Sequence, residues 1–129
     1  MFWLVFLAFF VFDQLTKIMA SIYFEIMPNH GISFGWLNQL PAEIMTIFLI
    51  FFAAGIAYVW RKKWSRNQKI SGLFWAGVAS NLLDRVLFGE VSDWIALPYV
   101  GIKNNFADFY ISIALILLFI QEFRASHEN

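Results

Sequence analysis

The 129-residue chain is 60% hydrophobic and 14% charged, whereas soluble domains are ordinarily about 45–50% apolar and about 25% charged. A soluble fold of this length is too small to bury so much apolar surface, so we expect the lipid bilayer to be part of its solvent. The net charge of zero gives no reason to expect a nucleic-acid partner, the absence of Cys excludes disulfides, thiol catalysis and thiolate metal sites, and two His are too few for a His-rich metal centre.

The first predicted element is a transmembrane helix over residues 1–20, with Asp13 and Lys17 near its far end. About 20 mostly apolar residues are enough to cross a bilayer as a helix. No basic residues precede the apolar run and no small-residue cleavage pattern follows it, so we predict a retained span rather than a signal peptide. Residues 21–40 are too polar to span and too apolar for a simple linker, and we place them at the membrane interface as a segment of short strands.

Three more apolar spans follow in chain order, over residues 42–60, 70–88 and 105–123. Pro41 suits the first turn of the second span, where its missing N–H costs no hydrogen bond. Five of the nine basic residues lie in the loop 61–69 between the second and third spans. The positive-inside rule places that loop, and both termini with it, in the cytoplasm. We therefore predict an all-α membrane protein of four transmembrane helices, with residues 1–129 forming one integral-membrane domain.

Polar residues occur at the predicted outer ends of the first, third and fourth spans, at the i, i+3 and i+4 spacings that share one helix face. They are Asp13 with Lys17, Asn81 with Asp84 and Arg85, and Asn105 with Asp108. An ionisable residue inside a span costs about 2.5–3.5 kcal/mol on insertion scales, so such residues usually face the protein interior. We expect the three groups to converge on one polar site. The alternative is that the pairs Asp84–Arg85 and Asp13–Lys17 are structural ion pairs that hold the bundle together.

Asp93 and Asp108 fit a structural role less well, since neither has an adjacent basic residue in the sequence. Two carboxylates brought close together cannot both ionise easily, so they share one proton. One can then act as a base toward a water molecule while the other acts as an acid toward a substrate carbonyl. Such a pair needs no metal, no cofactor and no Ser or Cys nucleophile.

Five sequence blocks resemble, in order, the signature blocks of the bacterial type II signal peptidases, the lipoprotein signal peptidases. The blocks are DQLTK (13–17), NHGISFG (29–35), GVASNLLDR (77–85), VSDW (91–94) and NFAD (105–108). Each block alone is a weak signal, but five in order over nearly the whole chain are specific. The resemblance implies an intramembrane aspartic protease that cleaves the signal peptide of a diacylglyceryl-modified prolipoprotein just before the lipidated Cys.

Carried over by position, the resemblance makes Asp93 and Asp108 the catalytic aspartates. The matching residues that support the site or bind substrate are Asp13, Lys17, Asn29, Gly31, Asn81, Asp84, Arg85 and Asn105. The resemblance also implies a small extracytoplasmic β-cradle between the first two helices, a site near the outer face of the bacterial cytoplasmic (inner) membrane, contact with membrane lipid and inhibition by globomycin. Trp94 and Asn104 both stand where the family usually has Phe.

Two other classes of protein remain as alternatives. One is a catalytically inactive membrane assembly subunit with a structural polar core. The other is a small transporter that uses Asp13, Asp84 and Asp108 as a proton relay. A relay should have polar residues through the full depth of the membrane, whereas the second span and the inner halves of the third and fourth are apolar.

Overall fold

The computed structural model describes residues 1–24, 27–29, 41–64, 66–97 and 102–127, and it is mostly helical. Its helices are α1 (Phe2–Tyr23), α2 (Ala42–Val59), α3 (Arg61–Trp64), α4 (Gln68–Phe88) and α5 (Phe106–His127). Its short strands are β1 (Met27–Asn29), β2 (Val91–Asp93), β3 (Ile95–Leu97) and β4 (Ile102–Asn104). Helices α1, α2, α4 and α5 lie at the positions of the four predicted spans.

Two helices of the described chain, α1 and α5, are long and apolar enough to cross a membrane by length and composition. Residues Glu43–Val59 of α2 form a shorter apolar helix. Much of the apolar surface of α1 is exposed, and the side chains of Trp3, Leu4 and Ile22 are 69%, 68% and 70% exposed. Exposed apolar surface on this scale is unfavourable in water and indicates contact with lipid. The crossing of a membrane by α2 and α4 stays a prediction.

Helix α4 lies between α1 and α5, and two of its glycines allow the close approach. A Cβ added at Gly72 would lie 2.8 Å from the carbonyl oxygen of Phe2 in α1. A Cβ added at Gly77 would lie 2.6 Å from the carbonyl oxygen of Ala107 in α5. Small residues of this kind let helix backbones pack closely in membranes. Tight contact on both sides makes α4 the centre of the bundle.

Helix α2 lies at the side of this three-helix core. Met45 and Ala53 are its buried apolar residues among those described, whereas Phe51 is 72% exposed.

Helix α4 is capped at its C-terminal end by Gly89, which adopts the left-handed conformation with φ 74° and donates its N–H to the carbonyl oxygen of Arg85 at 2.9 Å. Glycine is the residue that takes this helix-ending conformation most easily. The chain therefore turns sharply after α4 and enters β2.

Two antiparallel strand pairs, β1–β2 and β3–β4, lie at the end of α4 that leads into α5. In the first pair Met27 is opposite Asp93 and Asn29 is opposite Val91. In the second pair Ile95 is opposite Asn104, so β3 and β4 form a hairpin that leads into α5. Strand β1 lies in the segment predicted to form a β-cradle, but it pairs with β2, which follows α4. The remainder of the predicted cradle, residues 25–26 and 30–40, lies outside the described residues.

Candidate active site

The ammonium group of Lys17 lies at the centre of a buried polar cluster between α1 and α4. Its Nζ is 2.7 Å from Asp13 Oδ2 and 2.8 Å from Asp84 Oδ2, and it donates a hydrogen bond to Asn81 Oδ1 at 3.0 Å. An ammonium group has three protons to donate, and three acceptors are within 3.0 Å. Lys17 is only 4% exposed, so its charge is compensated by two carboxylates rather than by water.

Ser80 and Gln14 extend this cluster, and the sequence analysis did not select either of them. The Ser80 hydroxyl donates to Asp13 Oδ2 at 2.6 Å. Gln14 Nε2 donates to Ser80 Oγ and to Asp84 Oδ1, both at 2.8 Å. Two signals could have found them, since Ser80 precedes Asp84 by one helical turn and Gln14 is a polar residue beside Asp13 in an apolar helix. We call the closed set of five side chains the Lys17 ring: Asp13, Gln14, Lys17, Ser80 and Asp84.

The Lys17 ring also binds the beginning of α5. The backbone N–H of Ala107 donates to Asp13 Oδ1 at 2.8 Å. The first N–H groups of a helix have no partner within the helix, so a carboxylate at this position satisfies one of them and interacts favourably with the helix dipole. Asp13 of α1 therefore fixes the first turn of α5, which contains Asp108.

Asn81 connects the Lys17 ring to Asp108. The Asn81 side-chain oxygen accepts a hydrogen bond from Lys17, and its Nδ2 donates to Asp108 Oδ1 at 2.8 Å. Because Lys17 has only donors, it determines which end of the Asn81 amide is the oxygen and which is the nitrogen. The amide must then present N–H groups to the Asp108 carboxyl.

Asn105 precedes α5 and connects Asp93 with Asp108. Its Oδ1 accepts the backbone N–H of Asp108 at 3.1 Å, which is the hydrogen bond expected of an N-cap residue. Its Nδ2 donates to Asp93 Oδ1 at 2.8 Å. Asn105 is fully buried, so one rigid amide orients the side chain of Asp93 and the backbone of Asp108.

Asp93 and Asp108 line the same cavity, which has a volume of about 310 Å³. The other polar residues of its wall are Asn81 and Arg85. The positive charge of Arg85 interacts with the carboxylates of Asp108, Asp93 and Asp84. Apolar side chains complete the wall, contributed mainly by α2 and α4, with Phe48, Phe52, Ala53, Phe74, Val78 and Leu82 among them. A concave, mostly apolar cavity with a few converging polar groups is typical of a ligand-binding site.

Most of the predicted site residues are brought together in these two linked groups. The Lys17 ring contains Asp13, Lys17 and Asp84, and Asp84 forms its close ion pair with Lys17. Asn81 joins the ring to the cavity, which is also lined by Arg85, Asp93 and Asp108, and Asn105 holds Asp93. Asn29 is the last residue of β1, but its side chain is outside the described part of the structure, as is Gly31. Within the described ranges, no three His, Cys, Asp or Glu side chains are grouped so that they could hold a metal ion.

Comparison with known families gives a match over nearly the whole chain. A family model described as signal peptidase (SPase) II matches residues 5–124. A lipoprotein signal peptidase of Caldicellulosiruptor bescii is 31% identical, covering 91% of this chain and 87% of the relative. One from Staphylococcus aureus is 32% identical, covering 85% of this chain and 80% of the relative. One from Solibacter usitatus is 30% identical, covering 82% of this chain and 72% of the relative.

Two solved structures have a similar fold. One, described as a bacterial membrane enzyme determined by the in meso method at 2.3 Å resolution, superposes with a TM-score of 0.82 at 24% identity. The superposition covers 98% of this chain and 89% of that structure. A second bacterial membrane enzyme, determined by the same method at 1.9 Å, gives a TM-score of 0.71 at 25% identity and covers 92% of this chain.

Proposed function

Because the chain belongs to the signal peptidase II family, we propose that it is an intramembrane aspartic endopeptidase acting on prolipoproteins. It removes the signal peptide of a diacylglyceryl-modified prolipoprotein by cleaving just before the lipidated Cys. The observation that carries the aspartic mechanism is that Asp93 and Asp108 line one cavity while each accepts a hydrogen bond from the amide of an Asn.

The proposed reaction uses one carboxyl group as the base and the other as the acid. In each Asp the Oδ1 atom accepts an amide N–H, and we expect the two carboxyl groups to share one proton. The ionised carboxylate takes a proton from a water molecule, whose oxygen attacks the scissile carbonyl carbon. The protonated carboxyl gives its proton to the carbonyl oxygen, and a tetrahedral diol forms. When the C–N bond breaks, one carboxyl group gives its proton to the leaving amine and the other, ionised, takes a proton from a diol hydroxyl, so that a new carboxyl terminus forms and the Asp pair again holds one proton. Neither a metal nor a cofactor takes part.

Arg85 and the apolar walls of the cavity have separate roles in this proposal. The Arg85 guanidinium compensates the negative charge of the Asp pair, and its N–H groups are donors for the substrate backbone. The apolar side chains of α2 and α4 accommodate the apolar part of a signal peptide next to the scissile bond. Membrane lipid surrounds the exposed apolar faces of the helices. A globomycin-type inhibitor would compete for the same cavity.

The proposed topology has four membrane crossings, by α1, α2, α4 and α5. The basic loop 61–69 faces the cytoplasm together with both termini, by the positive-inside rule. Strand β2, which ends at Asp93, and the first turn of α5, which holds Asp108, then lie near the outer face of the bacterial cytoplasmic membrane. The pairs β1–β2 and β3–β4 lie at that outer end, where an extracytoplasmic cradle is expected.

The alternative of a catalytically inactive assembly subunit is less favoured. A structural polar core accounts for the Lys17 ring, in which carboxylates are compensated by a buried ammonium. It gives no reason for Asp93 and Asp108 to line a cavity of about 310 Å³ together with Arg85.

A gel-shift cleavage assay tests the proposal, with purified protein in detergent and a diacylglyceryl-modified prolipoprotein as substrate. The wild type is compared with Asp93→Asn and Asp108→Asn, which keep the side-chain volume and remove the ionisable group. Glu43→Gln in the exposed first turn of α2 is the matched control. We expect cleavage before the lipidated Cys by the wild type and the control, and none by either Asn variant with an unchanged unfolding temperature. Absence of cleavage by folded wild type, with an active homologue in a parallel reaction, would contradict the proposal.

A further inference from the structure

The five side chains of the Lys17 ring form a closed circuit of hydrogen bonds and ion pairs between α1 and α4. Lys17 binds Asp13 and Asp84 directly, at 2.7 and 2.8 Å. The opposite side of the circuit is closed by Ser80, which donates to Asp13, and by Gln14, which donates to both Ser80 and Asp84. The proposed reaction assigns no role to Ser80 or Gln14, which carry no charge and are not among the residues that line the cavity.

Two routes of hydrogen bonds connect the Lys17 ring to the first turn of α5, one directly and one through Asn81. Asp13 Oδ1 accepts the N–H of Ala107, and Lys17 orients the Asn81 amide that donates to Asp108. Any change in the direction of the Asp13 carboxylate or the Lys17 ammonium is therefore transmitted to the Asp108 backbone by one route and to its side chain by the other.

We propose that Ser80 and Gln14 are positioning residues that, by closing the Lys17 ring, hold Asn81 and Asp108 in the geometry needed for peptide hydrolysis. The inference rests on the proposed peptidase function for its kinetic consequence. A long Lys side chain has considerable rotamer freedom, and its direction is fixed only while its acceptors are themselves fixed. Ser80 and Gln14 supply the donors that fix those acceptors.

Loss of the Ser80 hydroxyl affects the site through the Asn81 amide. Without it, Asp13 Oδ2 keeps Lys17 as a donor but loses the hydrogen bond that sets the carboxylate plane, so the ammonium can move away from Asn81 Oδ1. The Asn81 amide then keeps Asp108 as its acceptor but loses the donor that fixes its other end, so the amide and the Asp108 carboxyl can shift together. Ser80 is fully buried, so water does not readily replace the lost donor.

The kinetic test compares Ser80→Ala and Gln14→Met with the wild type on the lipidated prolipoprotein. Ser71→Ala is the matched control, because it removes another buried hydroxyl from α4, nine residues away and outside the Lys17 ring. We expect kcat to fall about tenfold or more in both ring variants with KM within about twofold of wild type, because small displacements of reacting groups cost up to 10²-fold in rate. The control should keep the wild-type kcat.

A double-mutant cycle separates positioning from a general loss of structure. If Ser80 acts through Asn81, then Ser80→Ala should lower kcat much less in an Asn81→Ala background than in the wild type. A purely structural effect would give equal losses in both backgrounds, and that result would overturn the inference. Wild-type kcat in the folded Ser80→Ala variant would overturn it as well.

Hydrogen–deuterium exchange tests the same inference without any activity. The Ala107 N–H is protected by Asp13, so exchange in the segment 106–109 should be faster in Ser80→Ala than in Ser71→Ala. If the wild type did not cleave the prolipoprotein, the proposed function would fail while this measurement still decided the inference. Equal exchange in the two variants would refute the ring as a support for α5.

Discussion

Replacement of Gly77 by Ala tests whether the close contact of α4 with α5 holds the proposed catalytic geometry. The added Cβ would lie 2.6 Å from the carbonyl oxygen of Ala107 and 2.8 Å from Cγ1 of Ile111, whereas ordinary contact begins at 3.4 Å. The carbonyl oxygen is part of the backbone and cannot rotate away as a flexible side chain can. Helix α5 must therefore move by about 0.8 Å, the difference between 3.4 and 2.6 Å.

That movement acts directly on the site, because Asp108 follows Ala107 in the chain. A displacement of about 1 Å can lower the rate about 10²-fold, and overpacking typically destabilises a protein by about 1–3 kcal/mol. We therefore expect Gly77→Ala to lower kcat by roughly one to two orders of magnitude. We also expect it to lower the unfolding temperature in detergent.

Gly55→Ala is the control for this experiment, because Gly55 lies in α2 and a Cβ added there meets no atom within 4 Å. Initial rates of prolipoprotein cleavage and unfolding temperatures would be measured for both variants under the same conditions. The control should keep wild-type kcat and stability. Wild-type kcat in Gly77→Ala would show that the site tolerates this displacement, and it would refute the argument that α4 and α5 must pack so closely.

Three further predictions concern single contacts of the described structure. Lys17→Met should lower the free energy of unfolding by about 3–5 kcal/mol, because it leaves the Asp13 and Asp84 carboxylates buried without their cation. An unfolding titration in detergent measures this change. A loss below about 1 kcal/mol would contradict the view that the Lys17 ring is a major stabilising contact. Asn105→Ala should lower the free energy of unfolding by about 1 kcal/mol, because α5 loses its N-cap. It should also lower kcat, because Asp93 loses its amide donor. A loss of stability with unchanged kcat would show that Asn105 caps α5 but does not position Asp93 for catalysis. Glu122→Gln should change stability by less than about 1 kcal/mol, because its ion pair with Lys63 is exposed, and thermal melts with and without salt would check it.

The sequence predicts the positions of the long helices and the grouping of their polar residues well. The apolar runs of α1, α2, α4 and α5 are long, and the i, i+3 and i+4 spacing of Asn81, Asp84 and Arg85 is a direct consequence of helix geometry. The partner of each charge is harder to predict. Adjacency suggested the pairs Asp13–Lys17 and Asp84–Arg85, and the first is present at 2.7 Å. The ion pair of Asp84 with Lys17 of α1 at 2.8 Å was not predicted, because it depends on how two distant helices pack.

The short strands and the two neutral members of the Lys17 ring were harder to find from sequence. Strands of three residues are too short to show an alternating pattern, so β1 pairing with β2 across the whole of α2 and α4 has no local signal. Ser80 and Gln14 are small or neutral residues that are common in helices, and only the distances in the folded chain show their contacts. Asn104, which replaces the family's usual Phe, is buried and its carbonyl oxygen accepts the N–H of Trp94 at 3.1 Å. This hydrogen bond between the two sides of the hairpin is made by backbone atoms, so it does not require an aromatic side chain at position 104.

The surroundings of the buried carboxylates of Asp13, Asp84 and Asp93 and of the half-buried Asp108 support a division into two structural and two reactive ones. Asp13 and Asp84 share the Lys17 ammonium; both oxygens of Asp13 accept hydrogen bonds, and Asp84 accepts one from Gln14 at Oδ1 while its Oδ2 forms the ion pair. A carboxylate held in this way cannot readily exchange a proton with water or substrate. Asp93 and Asp108 instead line the cavity with Arg85, and each accepts a hydrogen bond from an Asn amide at its Oδ1 atom. Lys17 lies between the two carboxylates of the first pair, whereas Arg85 lines the cavity with the second pair and its positive charge also acts on Asp84. On this reasoning Asp84→Asn should act mainly on stability, whereas Asp93→Asn should act mainly on kcat.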